Sequence, residues 1–440
     1  MDTFPSKDLP PALSEDLAAA LHEGETFSIA PWVRALMAPT AAPAPAVPFP
    51  GAADRALALA TVWSEAKYNF AYWDKLPGEA WWDGQFQAFL PRIQAAATEQ
   101  EYWGLLTQFA RLLGDGQTGV TLPHHLRLTL KTPPVRVLAV EGRPVVVEGA
   151  ELPPGTEILA VDGKDVDGLR IHIAETVESS TRHYTEAAVA ARILRGPAGT
   201  PVNVLARRWD GTEFAVTLHR TGRLPRPPRL EVQTLGAGRL RVAINTMGET
   251  EVAAEFHRRF PNFEGVTGLV LDLRRNTGGS TTVAHSILAR FLAAPAHSAA
   301  VRVRTYVPVI RAWGGSQRWL AMPPDEVAPD NARPGCTGPV AVLSGPFTAG
   351  AAEDFLVGFK AAGRGPIVGE PSTGSTGQPL WVPLPGGGAF RVCCKRDTMP
   401  DGTDFVGKGI QPDIACAPTI AGIASGRDEP LEAAMRYLDQ

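Results

Sequence analysis

A hydrolytic nucleophile works best on a sharp turn that lifts it over helix-terminal N–H groups, and this chain carries such a turn with no side chain on it. The apolar run Val340-Ala-Val-Leu343 reads as a buried strand. After a Gly-Pro break, Ala352, Phe355, Leu356 and Phe359 predict a helix over 350–362. Gly350 stands at the junction. A second junction, Leu269-Val-Leu-Asp-Leu-Arg-Arg-Asn-Thr-Gly-Gly279, runs from an apolar strand through an acidic-basic pair to two glycines and a helix. Glycines there turn the backbone and leave N–H groups unshielded, and amides so placed form an oxyanion hole. Gly278, Gly279 and Ala351 are therefore the expected ligand-binding amides.

Other groups near these turns carry alternative chemistry. Glu353 and Asp354 fall in a first helical turn, where carboxylates cap and complement the helix dipole; they are also the acids available as a substitute general base. Ser344, Thr348, Ser372, Ser375, Thr376 and Cys394 belong to segments able to line the same cleft, although short polar residues are common in turns for local reasons. No spacing selects His124 or His125 as a base. Cys336, Cys393, Cys394 and Cys416 lack metal-ligand spacing. The adjacent pair points to opposite faces of a strand, so reduced structural thiols are expected, with no metal and no cofactor.

The elements that must position these residues alternate. Strands are expected at 239–244, 268–273, 340–343, 367–368, 381–384 and 390–394, with helices at 249–260 and 281–292 between them, which predicts stacked βαβ units. Residues 55–113 show aromatic and apolar positions at helical spacing in two helices, and Trp81-Trp82 between them reads as packing. Over 133–220, short β-rich runs alternate with glycine turns and are interrupted by one helix near 186–194. Pro153 to Lys164 resembles the central strand and turn of a PDZ domain: either a peptide-end clamp working by strand addition or a β-rich spacer. The Pro/Ala-rich stretch at 37–50 is expected to be an extended connector. The expected organisation is an N-terminal extension at 1–52, a helical subdomain at 53–122, a PDZ-like domain at 133–221, an α/β core at 229–428 and a C-terminal helix at 429–440.

The chain has 440 residues, 44% apolar and 20% charged, with a formal charge of −4. That balance gives no electrostatic reason to expect nucleic acid or an anionic membrane as partner. The first residues lack a basic n-region and an apolar h-region, and no run of about 18 apolar residues occurs; a cytoplasmic location is expected.

Together with Lys408-Gly-Ile-Gln-Pro-Asp-Ile414, the two glycine junctions closely resemble motifs of the tail-specific (C-terminal processing) serine protease family, especially its tricorn-like branch, over roughly 55–420. The resemblance implies a crotonase/ClpP-like core preceded by a PDZ module, and a possible homo-oligomer. It also implies a catalytic set that this chain does not carry. Leu112-Leu-Gly-Asp-Gly-Gln-Thr118 matches the motif of the histidine base, with Gln117 in its place; Thr348 to Glu353 matches the nucleophile motif, with Gly350 for serine. The lysine of a serine–lysine dyad would follow Gly374, where Ser375 stands, and the orienting glutamate would precede Gly407, where Phe405 and Val406 stand. A serine hydrolase needs a hydroxyl or thiol that a base can deprotonate, and an amide is no such base. The reading is thus a pseudo-peptidase that binds a peptide or protein C-terminus, or a small carboxylate or acyl ligand. The alternatives are an active serine-type peptidase with relocated residues, Ser375 or Thr348 among them, and a crotonase-like enzyme using the amides for non-proteolytic acyl chemistry with Glu353 or Asp354 as base.

Overall fold

Every residue of Gly268–Asp272 and of Val340–Ser344 is buried, as parallel strands covered on both faces require. The computed structural model describes residues 48–222, 224–315, 318–333 and 335–440; the expected N-terminal extension and most of the Pro/Ala-rich connector lie outside the described residues. The helices, the β-rich segment and the α/β core described below belong to one compact unit.

The chain opens with α1 (Ala52–Asn69), α2 (Glu79–Ala95) and α3 (Glu99–Arg111). Two helices with a tryptophan pair between them are expected; instead the pair opens a third helix that runs through Pro91. Fully buried Trp82 stacks on Phe109 at 4.2 Å between ring centroids and donates its indole N–H to the Trp63 carbonyl at 3.0 Å. This tertiary packing outweighs the local cost of proline and Gly84. Strand β1 (Gly119–Thr121) follows.

The β-rich segment contains β2 (Val135–Val140), β3 (Arg143–Gly149), β4 (Glu157–Val161), α4 (Val166–Ala174), α5 (Arg182–Arg192), β5 (Pro201–Arg207) and β6 (Glu213–His219). They form an antiparallel sheet in the order β2-β3-β4-β5-β6, which leaves β2 at an edge. One helix is expected here and two are present. The missed helix, α4, is short, and its signal is the cap: Asp165 accepts the Gly168 N–H at 2.9 Å.

In the core, β7 (Leu230–Gly236), β8 (Arg239–Ile244), α6 (Glu251–Arg259), β9 (Gly268–Asp272) and α7 (Thr281–Leu288) are followed by β10 (Ala300–Thr305), α8 (Pro308–Ala312) and β11 (Arg318–Met322). Next come β12 (Val340–Ser344), α9 (Ala351–Ala361), β13 (Ile367–Gly369), β14 (Pro379–Leu384), β15 (Gly388–Cys393), β16 (Lys395–Thr398), β17 (Ile414–Ala415) and α10 (Glu429–Leu438). The main sheet runs β7-β8-β9-β12-β13-β17, parallel from β8 onward. Alternate residues serve two layers. Leu269, Leu271, Val340, Val342 and Ile367 join the large core that includes Ile287 and Leu288 of α7 and Phe355 and Phe359 of α9. Val270, Ala341, Leu343 and Val368 pack against Ala433, Ala434 and Leu438 of α10. Strands β1, β15 and β14 form a small antiparallel sheet, which ties the segment carrying Gln117 to the core.

Candidate functional site

Gly350 is the N-cap of α9, with φ 56° and ψ −125°. Only glycine holds that conformation without strain. Its N–H donates to the Ser375 carbonyl at 3.2 Å and to Glu353 Oε2 at 3.2 Å. Gln117 Nε2 donates to the same Ser375 carbonyl at 3.0 Å. The fold therefore brings together the two positions that the sequence places 233 residues apart (350 − 117). A Cβ on Gly350 would meet nothing nearer than the Gly278 Cα at 3.6 Å, which is ordinary contact.

Gly278 lies directly against this turn. With φ 97°, it brings its Cα so close that an added Cβ would stand 2.8 Å from the Ala349 carbonyl. Its N–H is engaged by Asn276 Oδ1 at 2.9 Å, and its carbonyl accepts the Met247 N–H at 3.0 Å. Buried Asn276 is itself anchored, donating to the Ile244 carbonyl at 2.9 Å. The Gly278 amide thus holds the loop rather than facing a ligand. Gly279 and Ala351 flank the same spot, at the starts of α7 and α9.

Glu353 is fully buried and faces inward. Its Oε1 accepts Ser372 Oγ at 2.6 Å and the Gly374 N–H at 2.7 Å; its Oε2 accepts the Ser375 N–H at 3.0 Å as well as Gly350. Burial pushes its pKa up to about 7, against the pull of these donors and with a further push from neighbouring Asp354. Buried Asp354 accepts Thr281 Oγ1 at 2.6 Å and Thr376 Oγ1 at 3.3 Å. Both acids staple the 372–376 loop to helix starts.

The other expected residues separate. Val406 is buried, and its carbonyl accepts Lys75 Nζ at 3.0 Å, while the Gly407 N–H reaches the Gly374 carbonyl at 2.9 Å. This apolar residue lies beside the site loop without a titratable atom. Thr348 Oγ1 donates to the Leu273 carbonyl at 2.9 Å, Ser344 Oγ to the Glu370 carbonyl at 2.7 Å, and Cys394 Sγ to the Val392 carbonyl at 3.2 Å. His125 pairs with Glu99 at 2.9 Å on an exposed surface. Ser375 differs: its hydroxyl is buried without a hydrogen-bond partner among the described residues and lines the cleft. Sequence reasoning passed over Asp115, which lies in the same short motif as Gln117. Buried Asp115 accepts Thr118 Oγ1 at 2.6 Å and Ser180 Oγ at 3.1 Å, and burial raises its pKa.

A cleft of about 870 Å³ opens beside these residues, lined by Gln117, Thr277, Phe347, Ala349, Ser375 and Tyr184, with walls from α3 and the β-rich segment. Its charged lining comprises five cations (Lys164, Arg192, Arg195, Arg220, Arg391) and two anions (Asp162, Glu178). Arg220 pairs with Asp162 at 3.0 Å and Arg391 with Glu178. Among the described residues no group of three His, Cys, Asp or Glu is placed to hold a metal ion, and no helix is long and apolar enough to cross a membrane.

The glycine turns of a mixed α/β core thus meet beside one cleft. Residues 239–416 match the model of peptidase family S41. The chain is 24% identical over 278 residues to the carboxy-terminal processing protease CtpB of Bacillus subtilis, covering 61% of this chain and 50% of that protein. It is 27% identical over 291 residues to the chloroplastic C-terminal processing peptidase of Tetradesmus obliquus, covering 63% and 56%. The chain thus spans little more than half the length of these curated relatives. Its fold is similar to that of mature CPAF (TM-score 0.66, 16% identity, 88% of this chain and 96% of that one). It is also similar to the photosystem II D1 C-terminal processing protease (TM-score 0.52, 20% identity, 88% and 97%). Over residues 239–416 the chain is thus similar to peptidase family S41, and the curated relatives it matches are C-terminal processing proteases.

Proposed function

We propose that this chain holds a peptide C-terminus, or a small acidic ligand, without cutting it. The observation that carries the reading is the convergence of Gln117 and Gly350 on one carbonyl: the site is assembled, yet the two groups that meet there have neither a titratable proton nor a nucleophilic atom. The cationic excess of the cleft favours an anionic ligand, with the Gly279 and Ala351 amides as its hydrogen-bond donors. The β-rich segment acts as the PDZ-like module. Its edge strand β2 lines a second cleft of about 400 Å³ through Arg136 and Leu138, opposite Ala187 of α5, which suits an added peptide strand. The crotonase-like core supplies the helix starts.

The test is titration of the full chain with an unstructured peptide ending in a free carboxylate, and with its C-terminal amide. Saturable binding that weakens tenfold or more for the amide, with intact peptide recovered by mass spectrometry, is the expected result. Ser375 supports the competing reading of a relocated nucleophile, because the residue lines the cleft and its buried hydroxyl has no hydrogen-bond partner among the described residues. Peptide cleavage with a covalent acyl adduct on Ser375, abolished by Ser375→Ala, would establish that reading instead.

A further inference from the structure

The second cleft, of about 400 Å³, lies between β2 of the β-rich segment and the ends of β9, β12 and β13, and eight of its lining residues are charged. Six of the eight have a counter-charge. Arg241 and Arg274 share Asp272 at 2.7 Å each, and Arg274 also reaches Asp428 at 2.7 Å. Arg427 pairs with Glu432, and Arg275 lies 3.9 Å from Glu148. Arg136 and Glu370 are left over. Both are half-buried, and neither side chain forms a hydrogen bond or an ion pair among the described residues.

The two do not reach each other. Arg274 is the charged neighbour common to both, but its Nε, Nη1 and Nη2 are spent on Asp272 and Asp428. Burial, reinforced by Arg275 and opposed by Glu148, pushes the Arg136 guanidinium down to about 10. Burial also pushes the Glu370 carboxyl up, against the pull of Arg274. Each charge is carried at a cost that the chain itself does not offset.

A cleft with one uncompensated cation and one uncompensated anion does not select a simple anion. Its complement is a molecule that carries both charges. Arg275, whose ion pair is long, has N–H groups left to join Arg136, and guanidinium groups suit a carboxylate. Because Arg136 and Glu370 stand apart, the ligand's charges must be separated too, and a basic side chain supplies that separation from its own carboxylate. Leu138, Val147 and Phe347 on the lining offer apolar surface to its methylenes.

We propose that the second cleft binds a free or C-terminal lysine or arginine, with its carboxylate on Arg136 and Arg275 and its side-chain cation on Glu370. The site uses neither the first cleft nor its amides, so it goes beyond the peptide reading and fails separately from it.

The experiment is calorimetric titration of the full chain with unstructured peptides that differ only in ending in lysine or norleucine, with the lysine peptide as its C-terminal amide, and with free lysine. Protection of the amides of residues 135–140 from hydrogen exchange locates the ligand in the second cleft. Expected there is saturable binding of the lysine peptide that weakens about tenfold or more on either change. Glu370→Gln should erase the preference for lysine over norleucine and keep that for carboxylate over amide; Arg136→Met should do the reverse. A merely structural role for either residue would not divide the two preferences in this way. Circular dichroism of both variants should match the parent. Free lysine that binds with the same dependence on both residues marks an amino-acid site, and binding of the peptide alone marks a peptide-end site; either result upholds the proposal. Equal protection by the lysine and norleucine peptides overturns it and leaves the reading of the first cleft standing, and protection by neither lysine ligand overturns it too. If Arg136→Met and Glu370→Gln each destabilise the fold, and no more together than singly, the two residues pair with each other and the proposal falls.

Discussion

Glu353 is under two opposed demands, because its four donors favour the carboxylate while complete burial favours the acid. With a native pKa near 7 and an ordinary unfolded value near 4.3, the folded chain keeps a proton that the unfolded chain releases in between. Stability therefore falls as pH rises from about 4.5 to 7, by about 3 kcal/mol in total, and levels off above that. Glu353→Gln should remove this slope. Its amide nitrogen would also face N–H donors, costing roughly 1–3 kcal/mol, so the variant should be the weaker protein at pH 4.5 and should close most of the gap by pH 7.5. Urea midpoints of both proteins at the two pH values decide this; a gap that stays constant refutes it, and depressed carboxylates such as Asp272 cancel because both proteins keep them. Gly350 and Gln117 invite the reverse experiment. A serine side chain fits the open space at Gly350 and costs about 1–2 kcal/mol for its positive φ. Gly350→Ser with Gln117→His should gain esterase activity above either single variant, measured with a p-nitrophenyl ester.

The elements behind these residues are held by charge as much as by packing. Asp272 ends β9 and accepts Arg241 Nη2 and Arg274 Nη2, each at 2.7 Å, while Arg274 also reaches Asp428, the cap of α10, at 2.7 and 2.8 Å. Although burial opposes it, the arginines hold the Asp272 carboxyl well below the usual carboxylate range. Replacing Arg274 with methionine would leave a buried carboxylate with one partner fewer and take the ion pair from Asp428, the cap of α10, so a loss of about 3–5 kcal/mol is expected in chemical denaturation; a loss below 1 kcal/mol would show that the network contributes little. Strand alternation made this layer legible beforehand: Leu269 to Leu273 and Val340 to Leu343 are short apolar runs with no other economical reading. Helices α2 and α4 were harder to see. Pro91, Gly84 and Gly168 weaken their local signal, and what stabilises α2 is Trp82 on Phe109, a contact 27 residues apart that periodicity does not contain. The site divides in the same way. Gly350 and Gln117 were visible as departures from a motif, whereas the spending of the Gly278 amide on Asn276 and the inward turn of Glu353 depend on how loops meet.

Across the whole molecule, the site loop is where three segments touch. From the β-rich segment, Thr181 Oγ1 donates to the Thr373 carbonyl at 2.8 Å and the His183 ring lies 2.6 Å from the Ser372 carbonyl. Glu178 accepts the Val120 N–H at 2.8 Å on the strand that follows Gln117 and pairs with Arg391 of the core. The β-rich segment therefore touches the same few residues that position Gln117 and Ser375. Arg391 is the link to cut, since it is charged, largely enclosed and joined to Glu178 across the segment boundary. In Arg391→Met, Glu178 stays in place against the Val120 amide but loses its counter-charge. Local opening should then become easier without global unfolding, because the main sheet and α10 are untouched. Hydrogen exchange should accelerate tenfold or more at residues 118–121 and 372–376, while the amides of β9 and β12 keep their protection. Uniform acceleration across all of these strands would instead mean that Arg391 supports the entire fold, and no change at 372–376 would mean that the segments are not coupled through this pair.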